Sequence, residues 1–201
     1  SGQLSDRAAL VARLDSLATA WAADTLVAGV SVAVVHRGDT LLLKGYGLAD
    51  LEWAVPMADD AVFEIGSMTK QFTAAAVMQL VEQGKLDLDA DITAYLPDYD
   101  TQGRRIPLRR FLDHTSGIKG YTEMPVFGEI MTRDLPRDSL VAKFEAAPFD
   151  FEPGTAQIYN NSAYFLLGLV IEKASGEPYE EYVEKHLFEP LDMTRSYYCD
   201  E

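Results

Sequence analysis

Leu10, Leu14, Leu17 and Trp21 recur at intervals of four, three and four. That spacing marks one face of an amphipathic helix and predicts one from about Ser5 to Ala23. Two runs rich in Val, Leu and Thr follow, Val30 to Val35 and Thr40 to Lys44, joined by the polar cluster His36-Arg37-Gly38-Asp39. They read as a β-hairpin, and the embedded Arg-Gly-Asp tripeptide is explained by what a tight turn demands. After a loop through Pro56, a strand-like run from Phe63 to Gly66 leads into Met68 to Gln83, apolar on nearly every side and closed by Gly84. This predicts a buried central helix. Pro107 opens a short helix, Ser139 is placed as the cap of another, Ala163 to Ala174 forms a second buried helix ended by Gly176, and Pro178 opens the last, to about Leu187. Alternation does not return after residue 66, except around Gln157 to Tyr159. The pattern predicts an α+β chain: residues 1–66 as the N-terminal part of an α/β domain, 67–201 as a nucleophile helix and a mostly helical region.

Composition narrows the partners. A net charge of −15 over 201 residues repels phosphate backbones and anionic lipid, so nucleic acid is not expected. No apolar run approaches the ~20 residues of a membrane span. The single cysteine, Cys199, excludes an internal disulfide and reads as a free thiol rather than a nucleophile. The chain opens Ser1-Gly2, so an export signal is expected to have been removed or replaced.

Chemistry concentrates at Ser67-Met68-Thr69-Lys70. A serine on the first turn of a helix with a lysine three residues on places hydroxyl and ammonium on one face. The ammonium and the positive helix end stabilise an alkoxide, and the Ser67 N–H can serve an oxyanion. Ser116-Gly117-Ile118-Lys119 has the same spacing, but its internal glycine reads as a turn after a helix end, so it is assigned to structure. Tyr159-Asn160-Asn161 follows the Pro153-Gly154-Thr155 turn and precedes Ser162, a plausible helix cap. Tyr159 is the candidate for proton transfer.

Together with Phe63 to Gly66, Leu86 to Asp89, Leu108 to Gly117 containing His114-Thr115-Ser116-Gly117, and Glu152 to Asn161, these motifs make the chain resemble the serine β-lactamase and penicillin-binding-protein superfamily, on the class C side. The resemblance implies a β-lactamase/transpeptidase-like fold, an α/β sandwich with a helical domain. It implies Ser67 as nucleophile, Lys70 as its partner, Tyr159 as general base and Asn161 as a ligand for the substrate amide and for Lys70. The substrates implied are β-lactams, D-amino-acid peptides or esters, and the compartment is the periplasm or the exterior. The serine-type SDN motif is absent, and no Lys or His is followed by Thr-Gly or Ser-Gly, the family's third motif. The chain is therefore expected to be an N-terminal portion, lacking the C-terminal strands of the sheet. It is expected to be weakly active alone, and to self-associate or take up a complementing C-terminal segment. A non-catalytic penicillin-binding or sensor module, or a structural fragment, is the alternative.

Other chemistries find less support. Ser67 and Ser162 lack the glycines of a nucleophile elbow, and Gly66 to Lys70 is no phosphate loop. His36, His114 and His186 are too scattered for zinc. Asp87, Asp89 and Asp91 imitate a calcium loop, but Ile92 stands where glycine is required. Acyl transfer needs no cofactor or metal. For a tenth of Tyr159 to be ionised at pH 7 its pKa must fall from about 10 to about 8, and one ammonium at ~4 Å is worth up to ~4 kcal/mol at an effective dielectric of 20. Neutral Lys70 as the base remains the competing assignment.

Overall fold

The computed structural model describes residues 2–23, 27–125, 127–132 and 135–198; Cys199 lies outside them. The chain divides into two compact units, Ser1–Glu64 and Ile65–Glu201.

In the first unit, helix α1 (Gly2–Ala22) precedes strands β1 (Gly29–His36) and β2 (Asp39–Asp50), which pair antiparallel with Val32 opposite Lys44. Arg37 and Gly38 both have positive φ, 52° and 85°, the backbone of a type I′ turn that matches strand twist. A two-residue strand β3 (Val55–Pro56) adds to β2, giving the order β1-β2-β3. The expected apolar face of α1 is corrected: Leu10, Leu17 and Trp21 are exposed, and only Leu14 of the four is half-buried. A polar anchor accompanies this rotation. Asp15, on the inner side, accepts hydrogen bonds from Tyr46 Oη at 2.6 Å and Lys44 Nζ at 2.9 Å, which hold its carboxyl below the usual range.

The second unit opens with a 3₁₀ turn, Gly66–Met68, that runs into α2 (Thr69–Glu82). Residues 61–65 have no regular structure, so Ser67 does not follow a strand as expected. Nor is α2 buried all round: Thr73, Ala76, Val77 and Leu80 form its buried stripe, while Met78 is exposed. Short helices α3 (Arg109–Leu112) and α4 (Phe127–Ile130) follow, then α5 (Arg137–Glu145), α6 (Asn161–Ser175) and α7 (Tyr179–Val183), the last continuing into a π turn over Glu184–Phe188. The core lies where α2 packs on α6, with Leu80, Phe111, Phe144, Leu166, Leu167 and Ile171 fully buried.

Two expected caps move. Pro136, not Ser139, stands at the start of α5, and Ser139 lies inside the helix with its N–H on the Pro136 carbonyl. Asn160, not Ser162, caps α6, its Oδ1 accepting from Ala163 N–H at 2.9 Å, while buried Ser162 Oγ accepts from Tyr121 N–H. The aspartates of the calcium-like run are used internally. Asp91 Oδ1 accepts from Thr93 N–H and Oγ1 at 3.0 and 2.7 Å, and its Oδ2 from Ile106 N–H at 2.7 Å. Asp89 pairs with Arg109. Past β3 the described residues form no further strand, only one bridge between Asp91 and Pro107. The architecture is a small antiparallel sheet with one helix, followed by a helical unit.

Candidate active site

Ser67 sits exposed in the 3₁₀ turn that starts α2, directly after Gly66, whose φ of 51° lies in the left-handed region that glycine enters without a Cβ penalty. One turn later Lys70 projects on the same side, its Nζ 3.3 Å from Ser67 Oγ. The start of α6 supplies the rest. Tyr159 Oη donates to Ser67 Oγ at 2.6 Å, and Asn161 Oδ1 accepts from Lys70 Nζ at 2.7 Å. The four residues singled out in the sequence, Ser67, Lys70, Tyr159 and Asn161, thus form one cluster, although Tyr159 lies 92 residues from Ser67.

The electrostatics are those of a cation held among π faces. Lys70 Nζ lies 4.7 Å from the Tyr159 ring centroid and 5.5 Å from that of Tyr164, within cation–π range. Burial raises the Tyr159 pKa, but hydrogen bonding with Lys70 and Ser67 and the Lys70 charge outweigh it and hold the phenol below its ordinary value. Tyr164, also beside Lys70, is raised by burial and by the neighbouring Tyr159. The two tyrosines are therefore pushed in opposite directions.

A cavity of about 400 Å³ opens beside Ser67, lined by Lys70, Thr73, Tyr121, Asn161 and Tyr179 among others. Thr73 Oγ1 and Tyr179 Oη share a hydrogen bond of 2.7 Å on its wall.

The second serine–lysine pair is not built for chemistry. Ser116 is 1% exposed and Lys119 is paired with Asp150 at 2.7 Å. Gly117 between them has φ 76° and faces the Phe151 carbonyl where a Cβ would stand, so this glycine belongs to a tight crossing. Two neighbours of the site escaped the sequence reading. Thr122 Oγ1 accepts from Asn161 Nδ2 at 3.0 Å, which orients the amide so that its oxygen faces Lys70. His114 packs against Tyr159, ring centroids 4.7 Å apart. Its only signal was its place in the His114-to-Gly117 segment that carries the resemblance.

The fold thus sets a helix-borne serine and lysine beside a tyrosine and an asparagine, and the chain belongs to the Beta-lactamase family, whose model matches residues 14–199. Among curated relatives, Esterase EstB of Burkholderia gladioli is 32% identical over 202 residues, covering 94% of this chain and 51% of the esterase. The octameric penicillin-binding protein homologue of Pyrococcus abyssi is 32% identical with a TM-score of 0.79, over 96% of this chain and 45% of that one. The D-amino acid amidase of Ochrobactrum anthropi is 32% identical with a TM-score of 0.76, over 87% and 48%. The chain spans about half the length of these proteins.

Proposed function

We propose that the protein is a serine hydrolase or acyltransferase that works through an acyl-enzyme on Ser67. The carrying observation is the 2.6 Å contact between Tyr159 Oη and Ser67 Oγ beside the Lys70–Asn161 pair. Ionised Tyr159 takes the Ser67 proton as Oγ bonds to the substrate carbonyl carbon, and the oxyanion forms at the N-terminal end of α2, near the Ser67 N–H. Tyr159 then gives that proton to the leaving group, whose bond to carbon breaks. In the second half it takes a proton from water as the water oxygen bonds to the acyl carbon, and returns that proton to Ser67 Oγ as the acyl C–Oγ bond breaks, which frees the product and Ser67. Lys70 stays a cation, held by Asn161, and favours the phenolate. Tyr159 is preferred to Lys70 as base because it lies closer to Ser67 Oγ, 2.6 against 3.3 Å, and its pKa is lowered toward working pH.

Esters and D-amino-acid amides are the favoured substrates, since relatives carry the names esterase and D-amino acid amidase; β-lactams are the next class. We place the second oxyanion donor on a segment outside these residues, or on another copy of the chain.

Intact-mass labelling with a fluorophosphonate, an activated ester and a penicillin tests the reading, with Ser67→Ala as control. One adduct per chain, lost in Ser67→Ala, is expected. A label that survives the substitution or maps to Ser116 would sink it.

A further inference from the structure

We propose that neutral His114 is the positioning residue that holds Tyr159 on Ser67, through a hydrogen bond to the chain beside Tyr159 and a ring contact with it. This rests on the acyl-transfer reading above. His114 Nδ1 accepts from Asn160 N–H at 3.2 Å, the amide that follows Tyr159. Its ring lies 4.7 Å from the Tyr159 centroid and 5.1 Å from that of Tyr164, tilted by 44° and 39°. An Nδ1 that accepts from an amide places the single ring proton of the neutral form on Nε2.

His114 is well placed to transmit position because its own segment is laced to the Tyr159 segment. Four consecutive carbonyls of residues 112–115 accept from it: Leu112 from Tyr164 Oη, Asp113 from Gln157 Nε2, His114 from Ile158 N–H and Thr115 from Gly154 N–H. His114 itself has φ 62°, a left-handed conformation uncommon outside glycine, asparagine, aspartate and histidine. Non-glycine residues in such conformations persist where surrounding contacts over-determine them.

Protonation would break this arrangement. A proton on Nδ1 faces the Asn160 N–H, removes the acceptor, and adds a charge near the Lys70 ammonium. Four groups face the ring: Lys70 from α2, Asp113 at the end of α3 with Arg110 at 3.8 Å, Tyr159, and Tyr164 from α6. Burial and Lys70 push the His114 pKa below its ordinary 6.5, against the weaker pull of Asp113. The neutral form is the positioning one, so the arrangement holds at neutral pH and is lost as acid passes through that lowered value.

The test is the acylation rate constant on a p-nitrophenyl ester in single-turnover mode, from about pH 4.5 to 8, on the full-length protein. His114→Ala is expected to slow acylation roughly 10- to 100-fold at neutral pH, the scale of a misplaced reacting group, with little change in the substrate concentration needed. His114→Asn keeps an acceptor near Nδ1, tolerates the backbone and does not titrate. It should recover part of the loss and show no histidine limb on the acid side. In wild type, NMR should show the Tyr159 ring resonances moving with the His114 titration, whether or not any ester is turned over. An unchanged rate in His114→Ala, an acid limb in His114→Asn identical to wild type, or Tyr159 resonances indifferent to His114 would each overturn the proposal. Absence of a Ser67 adduct in the wild-type protein, with intact His114–Tyr159 coupling, would fault the hydrolase reading alone.

Discussion

At the scale of single residues, the site separates two tyrosines whose rings both pack near the Lys70 ammonium. Both lie on Lys70, yet only Tyr159 reaches Ser67 and is held below its usual pKa, while Tyr164 gives its hydroxyl to the Leu112 carbonyl. Tyr159→Phe should therefore slow acylation by ~10² to 10⁴, whereas Tyr164→Phe should act only through position. Because the phenolate is the active form, the wild-type rate should climb with pH toward the lowered Tyr159 value and then level off. A pH–rate profile of Tyr159→Phe that keeps the alkaline rise would hand the proton to Lys70.

At the scale of elements, Asp91 ties the turn over Ile92–Ala94 to the backbone at Ile106 with three accepted hydrogen bonds. Burial raises its pKa, but the bonds from Thr93 and Ile106 prevail and lower it. A lowered carboxyl adds stability that is full above the unfolded value of about 3.9 and is lost as pH falls through the folded one. Asp91→Ala strands the Ile106 N–H, which should cost about 1–3 kcal/mol and blunt the acid sensitivity of urea melts. Melts that shift with pH as in wild type would rule this out. The elements themselves were largely legible. The hairpin and α6 announce themselves by composition and by Gly38 and Gly176, and Ser67, Lys70, Tyr159 and Asn161 by motif. What failed was orientation and capping. The leucine spacing of α1 names the side left exposed because Asp15, a polar residue, carries the inner contact. Ser139 and Ser162 are cap types by identity, but Pro136 and Asn160 occupy those positions. Thr122 carries no motif, and His114 only its place in the segment that carries the resemblance; their hydrogen-bond partners lie 39 and 46 residues away and are brought to them only by the fold.

At the scale of the whole molecule, the first unit leaves apolar surface and strand edge open among the described residues. Leu10, Leu17 and Trp21 are 46, 61 and 55% exposed, and the eight-residue β1 pairs on one side only. Such edges and patches promote association, while a net charge of −15 opposes it. Salt screens the charge and leaves the apolar drive intact. The 201-residue chain should thus run in light scattering as more than one copy, with a mass that rises between low and physiological salt. A monomer at every salt concentration would count against the expectation that the chain needs a complement.

The lacing of residues 113–115 to residues 154–160 carries a kinetic consequence. Neither segment is a strand, yet the amides of Gly154, Ile158 and Asn160 are all consumed by the opposite segment. In native-state hydrogen–deuterium exchange these three coil amides should open as one cooperative unit rather than at the fast rates of a loop. Relative to the intrinsic exchange rate, acidification should strip protection from Asn160 before Gly154 and Ile158, since only its acceptor is a side chain that takes up a proton.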